Sequence, residues 1–183
     1  MTLKIGQPID DLCLPNIDGT QFELKSLRGQ NVMVSFHRFA TCPFCNLRIH
    51  QLVSQFDTFG DEFQIATIFD SPLDHLQKHA VGHHAPFSIL ADEHNIYYRK
   101  FAVTRSVLGT IRGFLKRLPT VLYAMFIKGF WPFPIKGNIF SMPLELLIDK
   151  EGIIQYVHRG KDEGDHLSID VIRQFALMGT LKP

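Results

Sequence analysis

The chain has 183 residues, of which 45% are hydrophobic and 20% are charged, a balance that predicts one folded domain and excludes a disordered chain. Three cysteines are too few for the disulfide framework of a small secreted fold, and no apolar run is long enough to span a membrane. The net charge is only +1, but residues 94–144 carry eight basic and no acidic side chains, and the remaining 11 basic and 18 acidic residues sum to −7. Residues 1–8 contain no apolar signal region, so we expect a cytoplasmic protein.

Predicted strands and helices alternate along the first half of the chain. A hairpin is predicted over residues 12–24, with its turn at Asp18-Gly19. Apolar runs predict further strands at residues 32–37, 63–69, 87–90, 144–148 and 153–158. Helices are predicted at residues 43–59, 72–80 (with Asp70 or Ser71 as the N-cap), 92–101 and 168–178. This order indicates an α/β fold in which helices flank a mixed central sheet.

A Cys-x-x-Cys motif lies where the strand at 32–37 passes into a helix. The spacing places the sulfurs of Cys42 and Cys45 one helical turn apart, so that they can face each other. The free N–H groups at a helix N-terminus favour a thiolate, which is a nucleophile at neutral pH, and the second cysteine can then close a disulfide. Three basic side chains near the motif could stabilise a thiolate or orient an oxyanion: His37, Arg38 and Arg48.

Two other interpretations of the motif are weaker. The pair could supply half of a zinc site, but the sequence has no second Cys-x-x-Cys, and Cys13 is too isolated to complete a ligand set. The two cysteines could also be inert and buried. Their placement between strand and helix, with Pro43 between the sulfurs, favours redox chemistry. Cys13 is expected to be a buried residue of the hairpin.

Residues 32–46, VMVSFHRFATCPFCN, resemble the active-site strand of the peroxiredoxin-like branch of the alkyl hydroperoxide reductase and thiol-specific antioxidant (AhpC/TSA) family, and more broadly the thioredoxin superfamily. Four further phrases fit the same family in the same order: 26–29, 89–93, 142–154 and 158–160. The resemblance implies a thioredoxin-like fold; with the length and charge pattern it predicts a single domain over residues 1–183 with a basic, aromatic helical insert at about 102–141. It implies catalytic Cys42 and Cys45, with Thr41, Arg38 and His37 in support.

The resemblance also implies a cis peptide bond between Met142 and Pro143, close to the cysteines, which would bare the Met142 backbone for a substrate peptide. The chain departs from the family in two places. Peroxiredoxins carry Pro-x-x-x-Thr-x-x-Cys, and if Cys45 takes the place of that cysteine, Cys42 and Arg38 replace Thr and Pro. Residues 31–37 lack the buried acid of thioredoxins, which leaves His37 as the nearest proton acceptor. We favour Cys42 as the attacking sulfur, with Cys45 as the alternative.

Histidines recur at every fourth position after the second strand. His75, His79 and His83 would share one helix face at a spacing that suits divalent metals, and His84 follows. Gly82 weakens the helix there, and no acid completes a catalytic set. We therefore expect a solvated helix face rather than a metal site.

The insert contains a cationic amphipathic helix at residues 105–118. Six apolar side chains fall within a 120° arc of the helical wheel: Val107, Leu108, Ile111, Phe114, Leu115 and Leu118. Three basic side chains fall together outside that arc: Arg105, Arg112 and Lys116. An apolar run at 121–127 and Trp131 follow. Packing on the domain or in a homodimer is favoured over peripheral membrane contact through 105–134, and nucleic acid is not expected.

These observations predict an enzyme that cycles Cys42 and Cys45 to reduce disulfides or peroxides. Its electrons would come from a thioredoxin-like or glutathione-like reductant, and it would need no cofactor. One alternative is a redox-sensing or membrane-peripheral interaction module of the same fold. Another is a small protein that binds a metal through its cysteines and histidines.

Overall fold

A five-stranded mixed sheet forms the centre of the molecule in the computed structural model, which describes residues 3–9 and 11–181. The strands are β1 (Cys13–Pro15), β2 (Gln21–Glu23), β3 (Asn31–Phe36), β4 (Phe63–Phe69), β5 (Ser88–Ala91), β6 (Leu144–Ile148) and β7 (Ile154–Arg159). The central sheet has the order β5-β4-β3-β6-β7. β3, β4 and β5 are parallel, whereas β6 and β7 are antiparallel to their neighbours, and β1 and β2 form the predicted N-terminal hairpin.

Helices cover the sheet and fill the long connection before β6. They are α1 (Pro43–Gln55), α2 (Leu73–Ala80), α3 (Ile96–Lys100), α4 (Val107–Lys116), α5 (Leu118–Leu122) and α6 (Ile169–Met178). A π-helical turn, Tyr123–Ile127, continues α5. The predicted α/β fold with a mixed, helix-flanked sheet is confirmed. Among the described residues, no helix is long and apolar enough to cross a membrane.

β3 is the innermost strand, and all six of its residues are buried. Successive strand side chains point to opposite faces, so an unbroken apolar run is needed where both faces are covered. Met33 packs into the core cluster that contains residues of α1, α2 and α6, whereas Val34 and Phe36 pack towards the hairpin and α3. This double burial fixes the end of β3, from which the Cys-x-x-Cys loop departs.

Three local expectations are wrong. α2 begins after Pro72 with no side-chain cap, because Asp70 and Ser71 bind other parts of the chain. Cys13 lies in the hairpin as predicted, but it is exposed. His75 is buried rather than on a solvated face, and its Nε2 lies 3.1 Å from a carbonyl oxygen of the insert. Within residues 3–9 and 11–181, no group of three or more His, Cys, Asp or Glu side chains could hold a metal ion.

The first helix of the insert, α4, packs on the rest of the molecule through glycines rather than through its apolar arc. Gly109 and Gly113 are the buried residues of α4. A Cβ atom at Gly109 would lie 2.9 Å from the backbone oxygen of Lys161, and one at Gly113 would overlap the carboxyl group of Glu163. The six residues of the predicted apolar arc are exposed instead. The expectation that this arc packs on the body of the domain is therefore wrong.

Candidate active site

The two cysteines lie at the junction of β3 and α1. Pro43 takes the first position of α1, where the N–H that it lacks has no helical partner, and Cys42 is the N-cap residue. The backbone N–H of Cys45 donates to the Sγ atom of Cys42 at 3.4 Å. Both cysteines are free thiols, and their exposed fractions are 0% and 2%. The predicted pair is thus brought together at a helix N-terminus, away from solvent.

Arg38 is the residue that contacts both sulfurs. Its Nη2 atom donates to the Sγ atom of Cys42 at 3.0 Å, and its backbone N–H donates to the Sγ atom of Cys45 at 3.4 Å. The guanidinium group lies over the rings of Phe39 and Phe44, at 5.7 and 5.9 Å from their centres. This buried cation is therefore held by aromatic neighbours in a position where it can stabilise a thiolate.

The surroundings of the two thiols give them different acidities. Burial raises the pKa of the Cys42 thiol, but the hydrogen bond from Cys45 and the charge of Arg38 outweigh burial and lower that pKa to about 6. Burial and the hydrogen bond with Cys42 raise the pKa of Cys45 well above its ordinary value. At neutral pH the site can therefore hold a thiolate at Cys42 beside a neutral thiol at Cys45.

A buried acid is present next to β3, although the sequence of β3 has none. Glu145 of β6 pairs in register with Ser35, whose hydroxyl donates to its Oε1 atom at 3.3 Å. Glu145 also accepts hydrogen bonds from Arg48, His166 and the backbone of Leu167 at 3.2, 2.8 and 2.6 Å. Burial would raise the pKa of Glu145, but the charges of Arg48 and His166 hold it below its ordinary value. Sequence analysis missed this residue, because only the register of β3 and β6 brings it to the site.

Two basic candidates have roles that the sequence did not predict. Arg48 pairs with Glu145 rather than with a cysteine. His37 is buried, its Nε2 atom lies 3.1 Å from the hydroxyl of Ser35, and its ring stacks on Phe69. Burial and the nearby His166 lower the pKa of His37 well below its ordinary value, so it is neutral. Of the three basic candidates, only Arg38 contacts the sulfurs.

Glu163 is a second buried acid that sequence analysis missed. Its Oε2 atom is buried without a hydrogen-bond partner, and its carboxyl group faces Gly113 of α4. Burial raises the pKa of Glu163, and its charge interacts with those of Arg38 and Cys42. No local pattern marks it, since it lies more than a hundred residues beyond the cysteines.

A stretch of the insert, residues 134–139, lies against the loop that carries the cysteines; we call it the covering segment. Thr41 donates from its hydroxyl to the carbonyl oxygen of Pro134 at 3.0 Å, and Arg38 donates from Nη1 to that of Ile139 at 2.9 Å. Gly137 has a φ of 137°, and a Cβ atom there would overlap the backbone oxygen of Asp70. The close approach therefore requires glycine.

Met142 and Pro143 differ from the expectation. Among the described residues the cis peptide bond joins Phe133 to Pro134, so the bond between Met142 and Pro143 is trans and that prediction is wrong. The backbone N–H of Met142 donates to the carbonyl oxygen of Thr104 at 2.8 Å. The Met142 Sδ atom lies beside Gly109 of α4. The insert therefore occupies the backbone group that was expected to receive a substrate peptide.

Comparisons with known proteins identify the family of this chain. The family model for the AhpC/TSA family matches residues 5–157. The chain belongs to the AhpC/TSA family. The resemblance of residues 32–46 is thereby confirmed, and the family places the chain among thiol-based peroxidases and oxidoreductases. A search of curated proteins found no match.

Solved structures of similar fold include peroxidases and an oxidoreductase. Peroxidoxin BcpB from Mycobacterium tuberculosis has a TM-score of 0.65 at 19% identity, over 96% of this chain and 94% of that chain. A thiol peroxidase from Chromobacterium violaceum has a TM-score of 0.66 at 13% identity, over 98% of this chain and 89% of that chain. A thiol:disulfide interchange protein of the thioredoxin family from Chlorobium tepidum TLS has a TM-score of 0.54 at 19% identity, over 97% of this chain and 99% of that chain. These similarities confirm the thioredoxin-like fold of this AhpC/TSA member.

Proposed function

We propose that this AhpC/TSA protein is a peroxide-reducing enzyme in which Cys42 attacks and Cys45 resolves. The observation that carries the proposal is the contact of 3.0 Å between Arg38 Nη2 and Cys42 Sγ. It stabilises a thiolate at Cys42, whose pKa is lowered to about 6, while the pKa of Cys45 is raised. Cys45 thus stays protonated until Cys42 has reacted. The reverse assignment is the alternative that the experiment below tests.

The proposed reaction moves two electrons from the cysteine pair to the peroxide. The Cys42 thiolate attacks one peroxide oxygen, the O–O bond breaks, and the leaving alkoxide takes a proton and departs as an alcohol or water. Cys42 becomes a sulfenic acid. Cys45 then attacks the sulfenic sulfur, water leaves, and a disulfide forms. Two thiol groups of a reductant restore the dithiol and are themselves oxidised. Glu163 is our candidate for the group that exchanges the proton, because its Oε2 atom is buried without a partner, burial raises its pKa, and its charge interacts with those of Arg38 and Cys42.

Burial of the sulfurs supports a peroxide rather than a protein disulfide as the substrate. A protein disulfide must approach the attacking sulfur closely, but the exposed fraction of Cys42 is 0%. The Met142 N–H, which would bind a substrate peptide, is already bonded within the chain. A small peroxide requires far less opening. By the same argument we propose a small, glutathione-like thiol as the reductant, with a thioredoxin-like protein as the alternative.

Peroxide consumption by single-cysteine variants tests this proposal. With hydrogen peroxide or an organic hydroperoxide and excess glutathione, we expect turnover by the unaltered protein and by the matched control Cys13→Ser, since Cys13 is exposed and lies in the hairpin. Cys42→Ser should lose turnover. Cys45→Ser should form a sulfenic acid at Cys42, visible by mass spectrometry, and should no longer form the intramolecular disulfide. A Cys42→Ser variant that still forms a sulfenic acid would reverse the two roles, and turnover only with thioredoxin and its reductase would replace the reductant.

The remaining expectations stay predictions. A redox sensor of the same fold would bind a partner differently in its oxidised and reduced forms. The cytoplasmic location and the extent of the insert, 102–141, also stay predictions. Contact of residues 105–134 with a second copy or with a membrane is a separate question, because it concerns a different surface of the molecule.

A further inference from the structure

The apolar face of α4 points away from the rest of the molecule. Leu108, Ile111 and Leu115 are 79%, 52% and 68% exposed. Exposed apolar side chains continue through α5 and the turns that follow it: Leu122, Phe126, Ile127, Trp131 and Phe133. Scattered exposed leucines are ordinary, but a concentration along one segment of a folded domain marks an interaction surface. We call these exposed side chains of residues 107–133 the outer face.

The orientation of α4 is fixed by the packing on its opposite side. On a wheel of 100° per residue, Gly109 and Gly113 lie opposite the centre of the apolar arc. Both glycines are buried, and neither has room for a side chain against Lys161 and Glu163. Rotation of α4 to bury its leucines would therefore force large side chains into space that only glycine fits. The outer face is a consequence of how the helix is seated.

Charge indicates what the outer face contacts. Residues 94–144 contain eight basic and no acidic residues. Arg105 and Arg117 reach acids of the domain, Asp70 and Asp162. Within the described ranges, the exposed Arg112 and Lys116 form no ion pair, although the charge of Lys116 helps to lower the pKa of Asp162. On the wheel both lie between the apolar arc and the buried glycines. An apolar strip beside cations, with aromatic residues near its end, fits an anionic lipid surface.

We propose that the outer face docks on the surface of an anionic lipid bilayer. The apolar side chains of α4 would enter the boundary between headgroups and acyl chains, while Arg112 and Lys116 meet the lipid phosphates. A second copy of the chain fits less well. A two-fold dimer brings identical patches together, and here each patch would bring cations and no acid from residues 94–144. The outer face of α4 is a different surface from the cysteine site, so this proposal does not depend on the peroxidase assignment.

Vesicle flotation tests the proposal with the full chain. Vesicles of phosphatidylcholine with 30% phosphatidylglycerol, at about 0.1 M salt, should carry the protein, and pure phosphatidylcholine vesicles should carry at least about tenfold less. Leu108→Gln with Leu115→Gln should lower partition onto anionic vesicles by at least about tenfold. Arg112→Gln with Lys116→Gln should remove most of the preference for anionic lipid. The matched control is Leu177→Gln, because Leu177 is 64% exposed but lies on α6.

The fluorescence of Trp131 provides a second, independent measurement of vesicle binding. Trp131 is the one tryptophan of the chain, it is 51% exposed, and its ring packs edge-on against Phe126 at 5.4 Å. Its emission should shift to the blue when anionic vesicles are added and should not shift with neutral ones. Absence of both flotation and shift at low salt would refute the proposal. It would also be refuted by a stable dimer in sedimentation analysis that Leu108→Gln with Leu115→Gln dissociates and that does not bind vesicles.

Discussion

The cysteine site and the outer face of the insert place polar and apolar groups in opposite surroundings. Around Cys42, charged and polar side chains such as Arg38 and Glu145 are buried and held by hydrogen bonds. On α4, leucines face solvent. A buried charge needs a partner, because a buried charge without one lowers the stability of the fold. An exposed leucine contributes little to that stability. Variants around Cys42 should therefore change stability or thiol reactivity, whereas variants on the outer face should leave both nearly unchanged.

The largest effect is expected at Glu145. Glu145→Gln leaves Arg48 buried without its anion, and loss of one partner of a buried ion pair costs about 3–5 kcal/mol in the free energy of unfolding. Urea denaturation measures it. Glu62→Gln, which removes an exposed ion pair with Lys150, is the matched control and should have no measurable effect. A similar loss of unfolding free energy in both variants would mean that the burial of Glu145 does not increase the contribution of its ion pair to stability.

The contribution of Glu145 should also appear in the pH dependence of the free energy of unfolding. The pKa of Glu145 is lowered in the folded state relative to the ordinary value of 4.5. Its contribution is therefore fully present above about pH 4.5 and declines as pH falls towards the folded-state pKa. In Glu145→Gln this part of the acid dependence should be absent. An unchanged dependence in the variant would assign acid sensitivity to other carboxyl groups.

The next effect concerns reactivity rather than stability. Arg38→Leu removes one of the two groups that lower the pKa of Cys42 to about 6; the hydrogen bonds from Cys45 remain, so burial should raise that pKa towards its ordinary value of 9.0. At pH 7 the thiolate fraction, and with it the rate of alkylation by iodoacetamide, should fall, by about a hundredfold at most. In the unaltered protein that rate should rise as pH passes through about 6. Arg38→Lys keeps the charge and should recover part of the rate; equal rates in all three proteins would exclude Arg38 as the stabilising group.

The pair of regions also shows what a sequence of this kind can predict. β3, α1 and the cysteines follow from local signals: an apolar run, a proline at the first helical position and a Cys-x-x-Cys spacing. Glu145 does not, because it reaches Ser35 only through strand register across 110 residues. The apolar arc of α4 is visible in the sequence, but its direction depends on which side of the helix finds close contacts, and glycines decide that here. The prediction of a cis bond between Met142 and Pro143 was wrong, because the trans and cis forms before proline differ by only about 0.5–1 kcal/mol in free energy. Tertiary contacts therefore decide which form is present.

A smaller effect is expected in the covering segment, at Gly137. Gly137→Ala places a Cβ atom against the backbone oxygen of Asp70 at a φ of 137°. Such strain costs about 1–3 kcal/mol, and displacement of the covering segment relieves it. We expect bulky maleimides to label Cys42 about tenfold faster than in the unaltered protein, with little change for hydrogen peroxide. Gly129→Ala is the control, because Gly129 also has a positive φ but has nothing within 4 Å of a Cβ atom. Equal acceleration in both variants would show that the covering segment does not limit access.

The smallest effect is expected on the outer face. Leu108→Gln with Leu115→Gln exchanges side chains that are already 79% and 68% exposed, so the free energy of unfolding should change by no more than about 0.5 kcal/mol. Met142→Gln makes the contrasting exchange beneath the same helix, because Met142 is 2% exposed, and should cost about 2 kcal/mol or more. Urea denaturation of both variants measures the difference. If the double leucine variant were the less stable of the two, the leucines would have a folding role, and the face would be a buried part of the domain rather than a surface kept for contact.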